Sequence, residues 1–270
     1  AALNIFVAPM IVVAMGWRAV PEIYSAAMLV MAVIFWFSTY PDPQLEERSR
    51  KGDFPTLGDT LLPLLEPRVW RFGLAYSFVF GGFVALSLWL PRYYMAAYGL
   101  DFTTAAFITL LFTLPAGAIR ALGGWFSDKW GGDTVTWSVF WICIVCLFFL
   151  SYPPTTFVVH GITGDVVFEF AIGMTLFTVL IFIVGVAQGI GAASVYRSVA
   201  DHYSGRMGSV GGLVGVIGGL GGFALPIVFG VAADATNVHS STFMVMYGVL
   251  GGVMIWTWMA TRGERAAILE

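Results

Sequence analysis

Apolar runs close to membrane-spanning length recur along this chain, and they fix its solvent before any motif is considered. A helix needs about 20 apolar residues to cross roughly 30 Å of hydrocarbon. Runs of this kind lie at Glu22 to Phe37, Trp70 to Leu90, Thr103 to Phe126, Thr136 to Leu150, Phe168 to Val199, Val210 to Ala233 and Phe243 to Ala260. The first and fourth are short and reach across only if their flanks join them. With 59% hydrophobic and 11% charged residues, and a mean hydropathy of +0.85, the chain has too little polar surface for a water-soluble globule of 270 residues. The expected fold class is therefore an all-α polytopic membrane protein with the lipid bilayer as its solvent. A net charge of −3 without any dense basic block excludes the electrostatic footprint of nucleic-acid binding.

The chain opens within AALNIFVAPMIVVAMGW, where only about 15 apolar residues precede Gly16, fewer than a span requires. This reads as the end of a helix whose beginning lies upstream and has been lost. The expected organisation is the end of an amino-terminal helical half over 1–39, a polar linker over 40–68 carrying PDPQLEERSRKGD, a six-helix half over 69–261 and a short tail over 262–270. If the linker is cytoplasmic, alternation of the spans puts ten of the 13 Lys and Arg on its side, with Arg18 and Arg92 opposite and Arg120 inside a span. That bias satisfies the positive-inside rule and makes the C-terminus cytoplasmic.

Four sequence features bear on chemistry. Cys143 and Cys146 form a CxxC, but inside WSVFWICIVCLFFL neither thiolate nor metal ion would be solvated, so they read as packing, and no metal or cofactor is expected. GWFSDKWG, Gly124 to Gly131, resembles a G-x-x-x-D-[RK]-x-G signature of a loop between two helices. Gly124 would allow close helix approach, while Asp128, which Lys129 follows in the motif, would cap a neighbouring helix N-terminus and pair with a basic residue, in a contact that can break as the protein rocks. Gly132 and Asp133 stand where the longer pattern has basic residues.

Arg120, in TLPAGAIRALGGWF, lies roughly 12 Å into the membrane, counting 1.5 Å per residue back from Asp128. A guanidinium at that depth must face a polar cavity or a partner, or snorkel to the headgroups. With no carboxylate deep in any span, an anion would serve, and a planar oxyanion matches guanidinium donors in bidentate fashion. The tract GRMGSVGGLVGVIGGLGGFALP places Gly208, Gly211, Gly212, Gly215, Gly218, Gly219, Gly221 and Gly222 in one span. Such a face admits a neighbouring backbone or a small ligand.

Together these residues resemble the nitrate/nitrite porter family of the major facilitator superfamily. The resemblance covers essentially the whole chain and implies a partial major facilitator fold: the end of helix 5, helix 6 and helices 7–12. It implies that Arg120 is the substrate arginine of the second half and that the glycine tract, with Gly211, Gly215 and Gly218, is the nitrate signature of the eleventh helix. It also implies that Tyr76 and Phe80, four apart in LAYSFVFGGF and so on one helix face, line the anion site. The expected activity is transport of nitrate and nitrite by alternating access in a bacterial inner membrane, as antiport, since these spans offer no acidic proton carrier. The missing amino-terminal half, with its own arginine, would be the obligate partner. A carrier of another small or organic anion, and a non-transporting piece that only associates with membrane partners, are the alternatives. Gln188 reads as a helix–helix hydrogen bonder, Arg197 as an anchor, and His160, His202 and His239 as loop residues. No His/Asp/Glu cluster of catalytic or metal-ligand spacing lies within a span, which argues against an enzyme.

Overall fold

The computed structural model describes residues 2–40, 56–162 and 164–269, and it divides into two compact units, Ala2–Leu62 and Pro63–Glu270. The first unit holds α1 (Ala2–Met15), α2 (Ala19–Ser38) and the short α3 (Leu57–Leu61). At 20 residues, α2 gains at both flanks the length that the run Glu22 to Phe37 lacked. The polar stretch PDPQLEERSRKGD expected as a linker lies outside the described residues. Where the backbone resumes, a capping box starts α3: the Thr56 hydroxyl accepts from the Asp59 amide at 3.2 Å and the Asp59 carboxylate accepts from the Thr56 amide at 3.0 Å.

The second unit contains six helices or helix pairs of spanning length and polarity, which with α2 makes seven among the described residues. The first is composite. α4 (Pro67–Tyr76) passes through a π-helical turn (Ser77–Gly81) into α5 (Gly82–Tyr98) without leaving the helical direction. α6 (Phe102–Trp130), α7 (Gly132–Leu150), α8 (Met174–His202), α9 (Met207–Thr236) and α10 (Ser241–Leu269) follow. Local chemistry sets their ends. Pro67 occupies the first turn of α4, the Asp101 carboxylate accepts from the Thr104 amide at the start of α6, and Gly131 at φ +82° separates α6 from α7.

One expectation needs correction. The run Phe168 to Val199 does not start a helix at Phe168, because Thr155–Gly161 (β1) and Gly164–Phe170 (β2) pair as an antiparallel hairpin, with Phe157 opposite Phe168 and His160 opposite Asp165. The helix begins at Met174. Alternation in TTFVVHG and GDVVFEF around a glycine-bearing turn is a strand pattern, and its valines and phenylalanines inflate hydropathy in the same way as a helix. His160 thus belongs to a strand, with its Nδ1 2.6 Å from the Asp165 carboxylate. Fold class is otherwise as expected, mostly helical and membrane-spanning.

Small residues bring the helices together. A Cβ at Gly123 of α6 would lie 2.8 Å from the Ile190 backbone of α8, and one at Gly185 of α8 would lie 2.8 Å from the Phe112 carbonyl of α6. At the other side of α8, a Cβ on Gly132 of α7 would sit 2.7 Å from the Ser194 carbonyl, next to the 2.8 Å hydrogen bond between the Thr136 and Ser194 hydroxyls. Without a hydrophobic drive between helices in lipid, such close packing and interhelical hydrogen bonds carry the association. Cys143 and Cys146 are free thiols buried in the apolar core beside Phe140 and Leu147.

Three polar ties hold the end of the unit where α6 meets α7. The Asp128 carboxylate is 2.7 Å from Arg197 Nε, whose Nη1 is 2.7 Å from Asp201. Arg71, buried in α4, lies 3.8 Å from Asp133 and over the Phe72 ring at 4.6 Å. The Tyr203 hydroxyl donates to Glu66 at 2.6 Å, and Arg206 lies 3.8 Å from the other oxygen of that carboxylate. Burial first, and the adjacent carboxylate second, push the Tyr203 phenol from 10.0 up to about 12. A raised acid loses its contribution as pH climbs past the unfolded value. The stability that this tie adds should therefore be fully present and independent of pH below pH 10 and be lost between pH 10 and about 12, and thermal unfolding in detergent should show a shallower alkaline loss in Tyr203→Phe.

Candidate substrate site

Arg120 and Tyr76 stand 44 residues apart in sequence and meet in space: Arg120 Nη2 donates to the Tyr76 hydroxyl at 2.9 Å. The Tyr76 ring stacks on Phe80 with centroids 5.0 Å apart and planes 8° from parallel, and the Arg120 guanidinium lies 5.9 Å from the Phe80 centroid. Four-residue spacing gives the stack its common face, and the π turn begins directly after Tyr76 and contains Phe80. A cavity of about 50 Å³ opens here among Phe80, Phe83, Gly117, Arg120, Gln188 and Gly189. It has room for a group of a few atoms. Among the described residues no carboxylate approaches the Arg120 guanidinium within 4.0 Å.

The glycine tract explains how the ring fits. A Cβ on Gly218 would overlap the Tyr76 ring, and one on Gly81 would lie 2.7 Å from both the Gly218 carbonyl and the Gly222 amide. Here the π turn and α9 touch backbone to backbone. Farther along α9, the Tyr196 hydroxyl donates to the Gly211 carbonyl at 3.1 Å and a Cβ on Gly215 would lie 3.1 Å from that same hydroxyl. Tyr196 meets the Tyr76 ring edge-on, with centroids 4.8 Å apart at 86°. In the structure Gly211, Gly215 and Gly218 thus support two tyrosines, whereas Gly208, Gly212 and Gly219 face open space in this chain.

The structure therefore gathers Arg120, Tyr76, Phe80, Gly211, Gly215 and Gly218 around one place, and sets Gly124, Asp128 and Lys129 apart at the end of α6. There one correction applies. The close approach expected of Gly124 is made by Gly123, while a Cβ on Gly124 would touch nothing; one residue turns a helix by about 100°, so only one of the two glycines faces α8. Lys129 spreads over Trp125 and Trp130, 5.4 Å from each centroid. Sequence reasoning missed Tyr196 and took Arg197 for an anchor, when Arg197 bridges Asp128 and Asp201. A tyrosine next to an arginine in the last turns of an apolar span was the available signal, since a phenol there seeks a polar partner.

Adding a methyl group distinguishes the supporting glycines from the open ones. Gly218→Ala drives into a ring held between Phe80 and Tyr196 and should lower stability by roughly 1–3 kcal/mol, while Gly219→Ala should be neutral or slightly stabilising through helix propensity. Unfolding of the two variants in detergent checks this, and equal stabilities would contradict the packing.

Comparison with known proteins bears on this arrangement. Residues 1–223 match the family model of the Major Facilitator Superfamily. The chain is 37% identical over 242 residues to the "Probable nitrate/nitrite antiporter NarK1" of Thermus thermophilus, covering 89% of this chain and 54% of that protein. It is 27% identical to the "Nitrite extrusion protein" of Bacillus subtilis, over 96% of this chain and 60% of that one. To the "Probable nitrate transporter NarT" of Staphylococcus carnosus it is 29% identical, over 94% and 60% respectively. The chain spans a little over half the length of these relatives. A family model matched across most of the chain makes this a member of the Major Facilitator Superfamily.

Proposed function

We propose that this chain supplies one half of an alternating-access carrier for nitrate and nitrite, with Arg120 as the group that meets the anion. The observation that carries the reading is the 2.9 Å hydrogen bond from Arg120 to the Tyr76 hydroxyl. A hydroxyl has one donor and two acceptor positions. By accepting from the guanidinium, the Tyr76 oxygen leaves its own hydrogen to donate, so a planar oxyanion beside Arg120 would meet guanidinium and phenol donors together. Phe80 walls the site, and Gly211, Gly215 and Gly218 let the tyrosines reach it. The names borne by the relatives, nitrate/nitrite antiporter, nitrite extrusion protein and nitrate transporter, support the cargo.

The site is half of a clamp. The part of the relatives' length not covered by this chain would supply the opposing half, and the two halves would rock about the anion. A permanently charged arginine facing neutral partners suits exchange of nitrate for nitrite, which moves no net charge and needs no proton carrier. The tie from Asp128 through Arg197 to Asp201 would open and close with the rocking. The linker over 40–68, the tail and most of the Lys and Arg would face the cytoplasm of a bacterial inner membrane. The carrier performs no chemistry on its cargo.

The test is transport of labelled nitrate, and its exchange for nitrite, by the complete transporter in proteoliposomes. Arg120→Lys keeps the charge but loses the planar fork, and should cut uptake at low nitrate by at least about tenfold, the equivalent of one charge-assisted hydrogen bond. Undiminished uptake would remove Arg120 from the site.

A further inference from the structure

The π turn has an unusual hydrogen-bond pattern, and one buried side chain is fitted to it. The Gly82 amide is shared between the Ser77 and Phe78 carbonyls, so the helical ladder is weakened where it leaves the turn. Gln188 of α8 reaches across and donates its Nε2 to the Phe78 carbonyl at 3.2 Å. Gln188 is 0% exposed, and a Cβ on Gly82 would lie 3.0 Å from that Nε2. The amide orientation follows from chemistry, since a carbonyl acceptor calls for the NH₂ end. Its Oε1 is buried and has no hydrogen-bond partner among the described residues. The same residue lines the cavity shared by Phe80 and Arg120.

We propose that Gln188 is a positioning residue of the anion site, holding the π turn through Phe78 so that the stacked Tyr76 and Phe80 are presented to Arg120. This rests on the anion-site reading above. Burying a primary amide with one oxygen left unpaired is costly, and close packing between α8 and the π turn is already supplied at Gly191, where a Cβ would lie 2.8 Å from the Val79 side chain. A π turn is a departure from the α-helix that recurs at functional sites, and here the residues it carries are the aromatic pair of the site. Gln188 acts through Tyr76 and Phe80 and need not touch the anion itself.

Nitrate transport by the complete transporter in proteoliposomes tests this, with thermal unfolding as the folding control. Gln188→Leu should raise the KM for nitrate about tenfold, as expected for one lost buried hydrogen bond, with the maximal rate changed by less than about twofold. Where Gln188→Leu does not fold, Gln188→Met, which matches glutamine in length and shape, carries the measurement. A double-mutant cycle supplies the decisive readout: in a Tyr76→Phe background the effect of replacing Gln188 on KM should largely vanish, because both changes disable the same presentation. An unchanged KM in the single variant, or full additivity in the cycle, overturns the proposal. Arg120→Lys run alongside separates the failures: if it transports normally the site reading has failed, and if it is impaired while Gln188 variants are not, only the positioning role has.

Discussion

The placement of the aromatic and charged groups in this unit depends on one close contact, the backbone of the π turn at Gly81 against the glycine tract of α9 at Gly218 and Gly222. Two helices approach to that distance only where both lack side chains. Any residue with a Cβ at Gly81 or Gly218 would push α4 and α9 apart. Tyr76 would then lose its seat against Gly218, and its hydroxyl would leave the reach of Arg120. Tyr196 enters from α8 against the same tract, so three helices are brought to register on one bare helix face. The cost is the low intrinsic helix propensity of glycine, offset in the bilayer by the absence of water to compete for the backbone.

Two arginines in the spans differ in how their surroundings meet a charge. Arg71 is buried at the base of α4, with a carboxylate at 3.8 Å and an aromatic face at 4.6 Å. Its charge is met by the protein itself. Arg120 is met by a neutral phenol and an aromatic face, and among the described residues no carboxylate lies within 4.0 Å to compensate its charge. A permanently ionised group in a low-dielectric setting holds strong affinity in reserve under those conditions.

Much of this was legible in the sequence, for identifiable reasons. Spans announce themselves because 20 apolar residues have few other uses, and Arg120 stands out because charge is rare at that depth. Tyr76 and Phe80 could be paired because residues four apart share a helix face. Legibility ended where the answer depended on helix phase or on tertiary contact. Gly123 and Gly124 are indistinguishable until the facing helix is known. The hairpin was hidden because valine and phenylalanine score alike in strands and in membrane helices. Arg197 and Tyr196 could not be assigned without knowing that α6 and α9 flank α8. The π turn leaves no mark in SFVFG itself, and the side chain that donates to its Phe78 carbonyl, Gln188, lies 110 residues away in sequence.

A π turn is the footprint of one residue more than an α-helix would hold between the same two neighbours. The extra residue uncouples the two ends of the composite span: α5 can keep its packing against α6 while α4 is turned by about 100° from where an uninterrupted helix would carry it. The rotation faces Tyr76 toward Arg120 and the glycine tract without rebuilding the far end of the helix. Shortening the turn by a single residue would reverse it, swinging the phenol away from the guanidinium while leaving the chain as apolar, as long and as capable of crossing a membrane as before.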